Sequence, residues 1–228
     1  MNLGGARRGR VLALIAALLG ANALAQSKPE ADTNYFVTSV VVGPGGFVRK
    51  LPWAPGERSF SAGLHALIAY RVLSVFDVGI HLSNQWLRVD GLSPGASAFA
   101  WTTAGGVAMR FHPLRMLDIV RVDPSVGVGV DFFAYGRQTT TWPAADGREP
   151  TVQDDAVPGA SLPVSVGLDI AVTKGFALGL LGIWGPWWHT EACSSSGLGA
   201  STCEARTTLP EHYFFVGLGC RLNLRFVE

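Results

Sequence analysis

Leu162-Pro163-Val164-Ser165-Val166-Gly167-Leu168-Asp169-Ile170-Ala171-Val172 is the stretch that decides the fold. Every even position carries Leu, Val or Ile, and the odd positions between them carry Pro, Ser, Gly, Asp and Ala. Side chains that alternate with period two belong to a β-strand, whose successive residues point to opposite faces. A helix of the same composition would group its apolar residues three and four apart.

The same alternation recurs on either side. It predicts strands at Tyr35–Gly43, Ser59–Arg71, Val75–Arg88, Phe99–Phe111, Val122–Tyr135, Phe176–Trp188 and His212–Phe226. With the quoted stretch these make eight. The connections alternate too. Val72–Ser74 and Thr173–Gly175 are tight, and 112–121 is intermediate. The segments 49–58, 89–98, 136–160 and 189–211 are long. Short turns at one end and long loops at the other describe an up-and-down meander of the outer-membrane kind.

Composition agrees. Of 228 residues 48% are hydrophobic and only 15% charged, with 28 Gly. Average globular chains are about 25% charged. A formal charge of +1 leaves no basic footprint for nucleic acid. Mean hydropathy is positive (+0.28). Yet beyond the N-terminal region no run of 18 apolar residues lacks a Gly, Pro or charge, so membrane-spanning helices are not predicted.

At the N-terminus Arg7, Arg8 and Arg10 precede an apolar run from Val11 to Gly20, and Ala23-Leu24-Ala25 offers a small-x-small cleavage site. Residues 1–25 therefore read as a cleaved signal peptide. Residues 26–33 form a short N-terminal segment and 34–228 the barrel. Cleavage removes three of the 18 basic residues and no acid, leaving 15 against 17.

The apolar face is read as the outside. The opposite face is mostly Gly, Ala and Ser with single charges, as a narrow eight-stranded lumen requires. Aromatics gather near strand ends, at Tyr70, Trp86, Trp101, Phe111, Trp184, Trp187, Trp188 and Phe226, as in interfacial girdles. A soluble barrel with the apolar face inward is the competing reading.

The signal peptide, the eight alternating strands and the terminal Leu222-x-Leu224-x-Phe226 resemble the small Gram-negative outer-membrane barrels, such as the OmpA transmembrane domain, OmpX and OmpW. In those families the aromatic is usually the last residue; here Val227 and Glu228 follow it. The resemblance implies an all-β, antiparallel up-and-down transmembrane β-barrel located in the cell outer membrane. It implies contacts with outer-membrane lipid and lipopolysaccharide, insertion by the barrel-assembly machinery, and a monomer.

On this reading His65, Arg71, Asp77, His81, Arg110, Asp131, Asp169, Arg221, Asn223 and Arg225 face the lumen. Charges in a tight lumen must pair, because isolated buried charge is costly, so a structural network is expected. If the second and third strands meet with partner numbers summing to 146, His65 lies opposite His81. Two imidazoles fall short of the three protein ligands a zinc site normally needs, so no metal is assigned. No cofactor is called for. Cys193 and Cys203 lie in one exported Ser/Gly loop and are expected to form a disulfide. Cys220 is left over on an apolar face.

The expected function is non-enzymatic: structural, a narrow channel, or display of surface loops. A rim enzyme acting on lipid is the alternative, with His189, His212, Glu191 and Ser194–Ser196 as the residues available. The acidic loop Asp146–Asp155 matches no calcium motif.

Overall fold

The computed structural model describes residues 35–47, 57–117, 121–143, 151–173, 175–189, 191–196, 201–205 and 210–224. Residues 1–25, read above as a signal peptide, the segment 26–33, Arg225, Phe226 and the first part of the acidic loop lie outside them. The described residues form eleven strands: β1 (Tyr35–Phe47), β2 (Glu57–Val72), β3 (Phe76–Asp90), β4 (Ser97–Phe111), β5 (Val122–Trp142), β6 (Thr151–Ser161), β7 (Val164–Ala171), β8 (Phe176–His189), β9 (Glu191–Ser196), β10 (Thr202–Ala205) and β11 (Glu211–Leu224). A 3-10 turn, Pro113–Leu117, lies between β4 and β5.

Eight of these positions close a ring. β1 pairs with β2 and β11, β11 with β8, β8 with β7, β7 with β5, and β5 returns through β4 and β3 to β2. All pairings are antiparallel. Closure leaves no edge in the ring, so backbone groups find partners within the wall, as a hydrocarbon surrounding demands.

β6 and β7 are one strand interrupted at Leu162-Pro163. Both pair with β5 and with β8 in a continuing register, from Asp131↔Ser161 to Val128↔Val164 and from Ser161↔Trp187 to Val164↔Trp184. The ladder bridges the break: Gly129 N–H donates to the Pro163 carbonyl at 2.7 Å, and Leu162 N–H to that of Pro186 at 3.3 Å.

The outside is apolar. Ile68, Ile80, Val128, Val166, Leu168, Ile170, Leu180 and Leu218 are all exposed, Leu218 at 68%. Inside lie the polar side chains, and Asp169 keeps only 19% of its side-chain surface. The face assignment read from alternation therefore holds, and a soluble barrel with a greasy core is excluded.

Three expectations are corrected. First, β2 and β3 pair with numbers summing to 148, so His65 faces Ser83, Leu67 faces His81 and Arg71 faces Asp77. The cause is the turn. Leu73 and Ser74 take positive φ (52° and 60°), and Val75 N–H closes on the Val72 carbonyl at 3.3 Å. That leaves Val75 out of the ladder and slips the strand by two, which keeps every face but changes every partner. Second, Trp187 is not a girdle residue; it is 3% exposed and faces the lumen. Third, much of the segments read as long loops is strand. β5 runs on to Trp142, β6 starts at Thr151, and β9 and β10 form a hairpin whose first strand pairs with β6. Above the membrane the apolar–polar contrast fades, so the period-two signal disappears while the ladder continues.

Candidate functional site

The lumen holds two polar groups and an apolar plug. The first polar group lies at the short-turn end. Arg71 on β2 grips Asp77 on β3 with two bonds, Nε to Oδ1 at 2.5 Å and Nη2 to Oδ2 at 2.6 Å. Its Nη1 donates to the Tyr35 hydroxyl at 3.0 Å. His112 follows β4 and stands between two carboxylates, with Nε2 2.8 Å from Asp77 Oδ2 and Nδ1 3.0 Å from Asp123 Oδ1. Asp123, at the start of β5, also receives Arg115 Nη2 at 2.8 Å and Arg221 Nη1 at 2.9 Å. Arg221 on β11 continues to Asp169 Oδ2 at 2.6 Å. One chain of contacts thus joins β1, β2, β3, β5, β7, β11 and the connection between β4 and β5 across the cylinder. The members are nearly sealed from solvent, with Arg71 and Asp123 both at 0% exposure. Bidentate and shared contacts of this kind offset the desolvation of the charges they bury.

The second group is at mid-height. His65 Nδ1 lies 2.8 Å from Ser83 Oγ, and its Nε2 lies 3.2 Å from Arg110 Nη2. The His65 and His81 rings sit diagonally, 5.5 Å apart. His81 Nε2 approaches Asp131 Oδ1 to 3.1 Å, an ion-pair distance, although the angle does not make a hydrogen bond. Asp131 accepts from the Ser161 hydroxyl.

Above this the lumen turns apolar. Val41, Leu181, Ile183, Trp187, Tyr213 and Phe215 pack together, with Phe47 against them. The Phe47 and Trp187 rings are 5.4 Å apart. The remaining space beside Arg110 and Ser39 holds about a single water.

Of the residues expected in the lumen, His65, Arg71, Asp77, His81, Arg110, Asp131 and Arg221 are buried there. Asp169 is inward at the network's edge, and Asn223 is half-buried, its N–H donating to the Gly175 carbonyl at 2.9 Å. Four members escaped sequence reasoning: Tyr35, His112, Arg115 and Asp123. His112 and Arg115 belong to a connection, where alternation gives no facing. Only the concentration of charge in His112–Asp123 marked it.

At the long-loop end Cys193 and Cys203 are bonded, directly opposite each other on β9 and β10. Outside the bilayer, Thr139 Oγ1 donates to Asp154 at 2.5 Å and Arg137 Nη2 at 3.0 Å. The Thr139 hydroxyl, followed by Arg137, holds the Asp154 carboxyl below the usual carboxylate range. Aromatics mark the outer rim of the apolar belt: Trp86 faces Trp101, whose ring is 5.6 Å from that of Tyr135, and Trp184 stacks on His212 at 4.9 Å.

No family model matches the sequence. No curated protein matches it either. Solved structures do match in fold. A major outer membrane protein from Thermus thermophilus aligns with a TM-score of 0.54 at 13% identity, over 82% of this chain and 99% of that one. OprG from Pseudomonas aeruginosa gives 0.44 at 13%, over 84% and 97%. The outer membrane protease OmpT from Escherichia coli gives 0.43 at 8%, over 88% and 99%. With its closed eight-stranded ring and an apolar exterior suited to lipid, the chain has the fold of the outer-membrane β-barrels.

Proposed function

We propose that this protein is a non-enzymatic barrel with a closed lumen, whose role is structural and lies in displaying its disulfide-closed hairpin sheet at the long-loop end. The observation that carries the reading is the network from Arg71 through His112 and Asp123 to Asp169, which crosses the lumen below the Trp187–Tyr213–Phe215 plug. An eight-stranded cylinder is just wide enough for its side chains, and here they fill it twice over. Outer-membrane lipid and lipopolysaccharide would surround the belt, and the barrel-assembly machinery would insert it, as the resemblance implies.

A rim enzyme finds less support. His189 faces the lumen, whereas His212 faces outward against Trp184. The two histidines available for such a site therefore stand on opposite sides of the wall. Ser194 Oγ is engaged by Gln153 Nε2 at 3.2 Å.

Planar-bilayer recording tests the closed lumen. The folded protein is expected to give no discrete conductance steps. Reproducible single-channel openings from the wild type would overturn the reading. Unchanged lipid A composition with alanine at His189 and His212 is the matching expectation for the absence of lipid chemistry.

A further inference from the structure

Cys193 and Cys203 have a third neighbour that a disulfide does not need. Glu191 stands two residues before Cys193 on β9, so its side chain shares that face of the hairpin. Cys203 lies directly opposite Cys193 on β10, with their Cα atoms 4.0 Å apart. A carboxylate oxygen of Glu191 and the two sulfurs all lie within 4.8 Å of one another. Ala205 is paired with Glu191 and Ala156 with Cys193, so the nearest cross-strand neighbours leave room above the three donors. Glu191 and Cys203 are exposed and Cys193 is half-buried, so an ion can reach them from solvent.

The donor set fits one chemistry. Thiolates are soft ligands that select zinc over magnesium or calcium. Two cysteines and a carboxylate give three protein ligands, with water left as the fourth. Reduction also brings the spacing to what the ion needs. Sulfurs no longer bonded move apart to contact distance, and in a tetrahedral zinc site with bonds of about 2.3 Å they stand roughly 3.8 Å apart. β9 has a second anchor in its pairing with β6, from Gln153↔Ser196 to Ala156↔Cys193, so Cys193 does not depend on the disulfide alone for its place. Asp154, the next carboxylate on this face, is already held by Arg137 and Thr139, which leaves Glu191 to complete the set.

We propose that Glu191, Cys193 and Cys203 form a redox-gated zinc site on the hairpin. In the oxidised chain the sulfurs are bonded to each other and the site is closed. A dithiol reductant opens it: two electrons and two protons convert the disulfide into two thiols, while the reductant becomes a disulfide. Zinc then displaces the two thiol protons and takes both thiolates and the Glu191 carboxylate. The metal thereby links β9 to β10 as the covalent bond did.

The test uses the whole chain folded in detergent, with Cys220→Ala so that these two are the only cysteines. It is reduced with a phosphine that is then removed without air. Cobalt(II) is the probe, because a cobalt–thiolate bond shows as a charge-transfer band that a disulfide cannot give. The reduced chain is expected to develop that band with a single cobalt per chain and to lose it when zinc is added. The oxidised chain is expected to show none. Glu191→Gln is expected to weaken cobalt binding by at least about tenfold, since losing even an outer partner of a metal ligand costs that much. Absence of the band in the reduced chain overturns the proposal, as does the same band in the oxidised chain. Undiminished affinity in Glu191→Gln overturns it too, and makes the reduced pair an ordinary dithiol.

Discussion

Arg71 and Asp77 face each other across the β2–β3 ladder and make a two-pronged ion pair with 0% and 2% of their side chains exposed. A one-step slip of either strand would turn that strand's charge into lipid, and a two-step slip would part the two. Removing one partner leaves a sealed charge behind. Asp77→Ala is expected to destabilise the barrel by about 3–5 kcal/mol, read from urea unfolding in lipid vesicles by tryptophan fluorescence. The double variant Arg71→Met/Asp77→Leu is expected to cost less than Asp77→Ala alone, because no charge of the pair remains unmatched. A double variant worse than the single one would show that the pair acts chiefly through packing.

The turn that sets this register is made of residues poorly suited to it. Both Leu73 and Ser74 take positive φ, the conformation that Asn-Gly adopts readily. Left-handed backbone costs an ordinary residue on the order of 1 kcal/mol. Leu73→Asn/Ser74→Gly is therefore expected to stabilise the barrel by about 1 kcal/mol without altering the β2–β3 pairing. The same urea titration checks it, and a loss of stability would mean that the exposed Leu73 has an apolar contact at the membrane surface.

What could be read from the sequence divides along physical lines. Period two is imposed from both sides of the wall, by lipid on Leu168 and Ile170 and by the crowded lumen on Gly167 and Asp169, so it is written into every membrane-crossing strand. The cross-strand register is different. It depends on two backbone angles at Leu73 and Ser74, and no residue type there announces them. His112 and Asp123 meet because β4 pairs with β5 in a register that ends at Phe111↔Val126, a relation absent from any single strand. Trp187 was legible after all: Leu178, Leu180 and Trp184 put even numbers outside on β8, so an odd-numbered tryptophan belongs in the lumen. Where β5 and β6 leave the bilayer, Gln138 and Thr140 are buried and Arg137 and Thr139 face out, and with polar residues on both faces the pattern has nothing left to show.

Leu180 tests the orientation of the wall from the lipid side. It lies on the outward face of β8 between Phe176 and the rim residue Trp184, with Leu218 and Leu168 as cross-strand neighbours. Leu180→Arg is expected to cost about 2–4 kcal/mol near the bilayer midplane, measured as the free energy of unfolding from vesicles. The neighbouring inward change Leu181→Ala instead opens a cavity beside Trp187 and Phe215, and Leu→Ala in a packed core costs about 2–5 kcal/mol. The two are told apart by lipid: thinning the bilayer is expected to lessen the Leu180→Arg penalty, as the charge comes nearer to water, and to leave that of Leu181→Ala unchanged.

The disulfide between Cys193 and Cys203 closes a hairpin whose second strand, β10, is exposed along its whole length. β10 pairs with β9 alone, so its order rests on four residue pairs and the covalent link. Closing a loop of this length stabilises by about 2–3 kcal/mol in the chain-entropy account. The effect is local, because the ring itself is closed by β1 and β11 without the hairpin. Reduction, or Cys193→Ser/Cys203→Ser, is expected to make the 191–205 segment sensitive to added protease while the barrel keeps its β-sheet signal and its resistance to unfolding. Since the hairpin carries the proposed display surface, an antibody raised against the oxidised tip should lose affinity for intact cells after mild reduction. Equal protease resistance of the oxidised and reduced forms would show instead that the β6–β9 pairing, from Gln153↔Ser196 to Ala156↔Cys193, holds the hairpin unaided.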